Sequence, residues 1–82
     1  MARLLFFGAL SDVMGRERAL MLPENVRTAR ALIDHLCGFD SAFAAAYSQS
    51  RLRIAVNEII VPPETPIGDS DEIAFLPPFS GG

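Results

Sequence analysis

The amino-acid sequence predicts an α+β fold, a mixed β-sheet with one main helix packed on one of its faces. Two observations predict it. Five short apolar runs are interrupted once, between the second and third, by a segment whose apolar residues recur at helical spacing. Half of the 82 residues are hydrophobic, enough for one core in a single domain, 1–82, and too many for a disordered chain.

The first strand is RLLFF, residues 3 to 7. Alternation places Leu4 and Phe6 on one face and Leu5 and Phe7 on the other, so both faces are apolar. LSDVMG, residues 10 to 15, reads as one short helical turn capped by Ser11 and ended by Gly15. RERALMLP then sets Arg18, Leu20 and Leu22 against Glu17, Ala19 and Met21 until Pro23 stops the strand. In TARALIDHLCG, Thr28 is the expected N-cap, and Ala29, Leu32, Ile33 and Leu36 form one apolar stripe. Gly38 is expected in the left-handed position that ends this helix.

A weaker alanine-rich helix is expected from Ser41 to Tyr47, loosening into a loop at Ser48 to Ser50. RLRIAVN, residues 51 to 57, turns Leu52, Ile54 and Val56 inward and Arg51, Arg53 and Ala55 outward. A turn at Asn57-Glu58 leads to a short strand, Ile59 to Val61, and PPETPIGDSD is turn chemistry throughout. DEIAFL, residues 71 to 76, makes the last strand, with the bulkier Ile73 and Phe75 inward and Leu76 outward. A hairpin, a crossing helix and strands returning to the same sheet constitute the β-grasp arrangement.

Composition excludes several functions. The formal charge is −3, and the seven basic residues are all arginines, scattered rather than striped. Backbone-phosphate binding wants a basic face, so no nucleic-acid partner is expected. No apolar run approaches the ~20 residues of a membrane span, and MARLLFFGALSDV lacks a small-residue cleavage site. A cytoplasmic protein without a membrane partner is expected. The lone cysteine, Cys37, cannot form an internal disulfide.

Conventional catalytic constellations are missing. His35 is a lone histidine and reads as a surface residue, and Cys37 reads as a small buried hydrophobe. Asp69, Asp71 and Glu72 lack the glycine and distal glutamate of a calcium loop, so a solvated turn is expected and no metal site. The closing stretch is different. Pro77 and Pro78 hold the chain extended, which lets residues 77 to 82 protrude roughly 15–20 Å at ~3.1 Å per residue. Gly81 and Gly82 lack Cβ atoms and can thread a channel too narrow for side chains. Such a tail presents a main-chain carboxylate on a thin arm. A carboxylate is inert at neutral pH, but adenylation by ATP makes it an acyl donor, and attack by a sulfur source then leaves a thiocarboxylate.

LLFFGAL, AVNEIIV and GDSDEIAFLPPFSGG together resemble the family of small, sulfur-carrying subunits of molybdopterin synthase, which are ubiquitin-like proteins. The resemblance runs over essentially the whole chain. Its specific part is the closing acidic turn, apolar strand, double proline, hydrophobe, small residue and Gly-Gly. The chain departs in having Asp-Ser-Asp where Asp-Gly-Asp is usual, and Phe79 where a smaller aliphatic is common. The resemblance implies a protein that is not catalytic alone and holds no permanent cofactor. An ATP-dependent adenylating enzyme would activate Gly82, and a sulfurtransferase system would install sulfur. The tail, Pro77 to Gly82 with Phe79 and Ser80 between, would then enter the large synthase subunit. There it would donate sulfur to a cyclic pyranopterin phosphate to build a dithiolene. In that family two small subunits sit at opposite ends of a dimer of large ones.

The second sheet face fits such a partner. Leu5, Phe7, Ala55, Ala74 and Leu76 are expected to face outward, with Phe7, Ile60 and Leu76 as the candidate interface. The alternative is partial cover of this face by segments 10–15 and 40–48. Other functions also stay open: a ubiquitin-like modifier, a carrier for another pathway such as thiamin or tRNA thiolation, or an interaction module with an incidental Gly-Gly.

Overall fold

The computed structural model describes residues 1–49 and 52–76. Its elements in chain order are β1 (Ala2–Phe6), α1 (Ala9–Met14), β2 (Glu17–Leu20), α2 (Ala29–Phe39), α3 (Ser41–Gln49), β3 (Arg53–Val56), β4 (Ile59–Val61) and β5 (Glu72–Leu76). The sheet order is β2-β1-β5-β3-β4. β1 and β5 run parallel, and the other three pairings are antiparallel. This is the mixed sheet of the expected β-grasp arrangement, with β5 as its central strand.

The inward residues are those that alternation selects. Ala2, Leu4, Phe6, Ile54, Ile73 and Phe75 are all buried, together with Ala29, Leu32, Ile33 and Leu36 of α2. Leu10 and Met14 of α1 and Phe43 of α3 join the same cluster, so all three helices pack on one side of the sheet. Segments 10–15 and 40–48 therefore do not cover the second face. Phe6 and Phe75 stack at 5.3 Å, and Phe43 meets both rings edge-on at 6.4 and 5.7 Å. Each fully buried phenylalanine contributes about 2–3 kcal/mol of transfer free energy.

Three helix ends differ from the sequence reading. Ser11 does not cap α1: Gly8 takes that place with φ +64°, and the Ser11 hydroxyl donates to the Gly8 carbonyl at 2.7 Å. Gly38 lies inside α2, which runs one residue further to Phe39 and is capped by Asp40 in an extended conformation. The physical reason is the next helix. Asp40 donates its N–H to the Leu36 carbonyl, and its carboxylate accepts the Phe43 N–H at 3.0 Å, so one residue closes α2 and opens α3. α3 in turn extends to Gln49 rather than ending at Tyr47. The Thr28 cap is as expected, its hydroxyl accepting from the Ala31 N–H at 3.1 Å.

The segment between β4 and β5 is more than a solvated turn. Carbonyls of Pro63 and Thr65 accept the N–H groups of Arg30 and Ala29 at 2.8 and 3.0 Å, satisfying donors that the first turn of α2 leaves open. Ile67 joins the core. Asp69 accepts the Leu22 N–H at 3.0 Å, which draws residue 22 to this loop and ends β2 at Leu20. Asp71 accepts from the Gly68 N–H at 2.7 Å and from Asn57 Nδ2 at 2.9 Å. Asn57 and Glu58 form the β3–β4 turn with φ of +50° and +72°, the mirror-image geometry that suits a two-residue hairpin. The acidic residues thus brace the base of β5.

Candidate functional site

Pro77, Pro78, Phe79, Ser80, Gly81 and Gly82 lie outside the described residues. What the structure places is the root of that tail, Leu76, and the sheet face around it.

Register defines the outer face as rows of side chains. In the row level with the tail root, Leu76 on β5 is paired with Arg53 on β3, while Phe7, following β1, donates its N–H to the Phe75 carbonyl at 3.2 Å. The next row contains Glu17, Leu5, Ala74, Ala55 and Ile60, reading from β2 to β4. The third row holds Ala19, Arg3 and Glu72. All three expected interface residues therefore share one face. Phe7 is 45 % exposed and Ile60 is 51 % exposed, whereas Leu76 is half-buried.

The two alanines need a correction. Both occupy the outer face by register, yet Ala55 is 5 % exposed and Ala74 is 9 % exposed. Neither belongs to the core cluster. Their single methyl groups lie in the middle of the sheet, between larger side chains on the neighbouring strands, and leave a shallow floor. The apolar rim is formed by Leu5, Phe7, Leu76 and Ile60. A cavity of about 490 Å³ adjoins it, lined by Leu5, Phe7, Gly8, Ser11, Arg16 and Glu17 among others.

The end of this face remote from the tail is charged, with one arginine shared by two carboxylates. Arg3 donates to both carboxylate oxygens of Glu17, at 2.6 and 3.3 Å, and to Glu72 at 3.2 Å. The hydrogen bond from Arg3 holds the Glu17 carboxyl below the usual carboxylate range and raises the guanidinium in return. Arg3 and Glu17 are exposed and Glu72 is half-buried, so the triad is a surface network of modest strength. Sequence reading missed it, because contacts 14 and 69 residues apart follow from register alone.

His35 and Cys37 stay apart from this face, on α2. His35 is half-buried with its ring 5.1 Å from that of Phe39. Cys37 is half-buried against the core, and burial, helped by Asp34, pushes its thiol above the ordinary value. A raised thiol is a poor nucleophile at neutral pH. Among the described residues, no three of His, Cys, Asp and Glu converge as metal ligands. Nor is any helix there long and apolar enough to cross a membrane.

The family model described as the ThiS family matches residues 4–82. The molybdopterin synthase sulfur carrier subunit of Haemophilus influenzae is 34% identical over 82 residues, covering all of both chains, and that of Escherichia coli is 33% identical with the same coverage. Among solved structures, a candidate molybdopterin converting factor subunit 1 of Pyrococcus furiosus superposes with a TM-score of 0.76 at 24% identity, over 95% of this chain and 97% of that one. Small archaeal modifier protein 1 of Haloferax volcanii gives a TM-score of 0.74 at 20% identity, over 95% and 97%. A protein–protein complex of subunits 1 and 2 of the Helicobacter pylori molybdopterin-converting factor contains a chain with a TM-score of 0.66 at 22% identity, over 99% and 97%. At these identities the structures establish the shared β-grasp fold.

Proposed function

The chain belongs to the ThiS family, and on that premise we propose that it is a sulfur carrier of molybdenum cofactor biosynthesis. Gly82 is its working residue. An ATP-dependent adenylating enzyme joins the Gly82 carboxylate to AMP with release of pyrophosphate. A sulfur nucleophile then breaks the mixed anhydride, releases AMP and leaves a terminal thiocarboxylate. Inside the large synthase subunit this group gives its sulfur to a cyclic pyranopterin phosphate, contributing to the dithiolene, and the carboxylate is regenerated by water. The protein supplies no catalytic side chain. It contributes a docking face and a tail.

The observation that carries this reading is the placement of the tail root. Leu76 ends the central strand of the sheet, on the uncovered face and in the row of Phe7. A partner that seats on the apolar rim therefore meets Leu76, the residue that immediately precedes PPFSGG, at a defined position. Similarity over the full length, at 34% and 33% identity, to relatives named as sulfur carrier subunits supports the same reading. The test is a Gly82 deletion, assayed with purified adenylating enzyme, sulfur donor and large subunit. Loading and dithiolene formation should both vanish while the circular dichroism spectrum stays unchanged, because Gly82 lies six residues beyond Leu76, where the last strand ends, and Phe75 is the last core member among the described residues. A deleted variant that still supports dithiolene formation contradicts the proposal.

A further inference from the structure

The described arginines divide into those with partners and those without. Arg3 is held by Glu17 and Glu72, Arg30 by Glu64 at 3.1 Å, and the Arg18 guanidinium donates to the Met14 carbonyl at 2.9 Å. Arg53, like Arg16 and Arg27, has no side-chain hydrogen bond or ion pair among the described residues, and it is exposed. Its position makes this informative. Arg53 is the register partner of Leu76, on the outer face, in the row from which the tail departs. The carboxylates of that face, Glu17 and Glu72, stand in the rows beyond it and are already engaged by Arg3. The face is therefore polarised: an ion-pair network of one arginine and two carboxylates at one end, and an unpaired cation beside the apolar residues at the tail root.

Docking of a partner on the Phe7–Leu76 strip removes water from the flank of Arg53. A guanidinium that loses water without gaining a carboxylate opposes binding, whereas one met by a carboxylate steers the approach and fixes its register. Arginine suits this task because its planar fork takes both oxygens of one carboxylate. We propose that Arg53 is a partner-recognition residue, and that the large subunit seated on this face presents an aspartate or glutamate to it beside the point where the tail enters. This rests on the function proposed above and adds to it the chemistry of the surface that receives the carrier.

The experiment measures the affinity of the full chain for the purified large subunit by calorimetry, at low and at high salt. Arg53→Gln keeps length and polarity and removes the charge, Arg53→Lys keeps the charge without the fork, and Arg53→Glu reverses it. Circular dichroism checks that each variant folds, as expected for an exposed position. Arg53→Gln should bind about tenfold more weakly at low salt, Arg53→Glu more weakly still, and Arg53→Lys between wild type and Gln. The difference between wild type and Arg53→Gln should shrink at high salt, where a rim charge pair is screened. Unchanged affinity of Arg53→Gln, with wild-type chain binding normally, overturns the role of Arg53 and leaves the carrier function standing. Failure of the wild-type chain to bind the large subunit overturns both.

Discussion

A glycine at position 81 leaves the main chain with no Cβ one residue before the carboxylate that the proposed cycle activates. If the tail passes through a narrow channel, first in the adenylating enzyme and then in the synthase, one added methyl meets a tight wall. By analogy with overpacking, the strain is of order 1–3 kcal/mol. Gly81→Ala should then lower the rates of adenylation and of sulfur transfer by roughly ten- to a hundredfold, since ~1.4 kcal/mol is tenfold. Gly81→Val and Gly81→Phe should be worse in order of size, while Ser80 tolerates more. Rates measured separately for the two steps check this, and a flat series means that the glycines serve flexibility alone. Such a residue is legible in sequence because its chemistry is main-chain chemistry, which needs no tertiary neighbour. Arg53 is the opposite case. Its side chain looks like any other scattered arginine until the pairing with Leu76 places it beside the tail root.

Strands and the main helix were readable because period-two alternation and the Ala29, Leu32, Ile33, Leu36 stripe report burial directly. Helix ends were harder. Asp40 serves two helices at once, which local rules for a C-terminal glycine do not anticipate and which moved Gly38 into the helix interior. The alanine-rich composition of α3 likewise hid the weight of Phe43, which is fully buried against Phe6 and Phe75. Phe43→Ala should therefore destabilise the fold by about 3–5 kcal/mol in denaturant titration, a large share of the ~5–10 kcal/mol expected for a small domain. The outer face should behave differently. Phe7→Asp and Leu76→Asp place a charge on a rim that is not core, so the far-ultraviolet spectrum should persist while capture by the large subunit is lost, as a desolvated charge costs several kcal/mol. Unfolding of Leu76→Asp, or normal binding by both variants, contradicts the assignment of this face.

At the scale of the whole molecule, three helices close one side of the sheet and leave the other uncovered among the described residues, and the sequence of the tail follows directly on the central strand. The division of labour is spatial. The core secures the fold, the ion pairs of Arg3 occupy the remote end of the open face, and the apolar strip with Arg53 surrounds the tail root. The bare face was foreseeable from the double apolar parity of RLLFF, but its charge polarity was not, since that depends on strand order. The carrier function comes down to a chemical change at one atom, the replacement of a Gly82 carboxylate oxygen by sulfur. Intact-mass spectrometry of the chain, after incubation with ATP, the adenylating enzyme and a sulfur donor, reads that change directly. The predicted result is a mass gain equal to one oxygen exchanged for one sulfur, localised to the terminal peptide and lost on incubation with the large subunit and pyranopterin substrate. An unchanged mass, or the chain's appearance in covalent linkage to larger proteins in place of that gain, would contradict the carrier function.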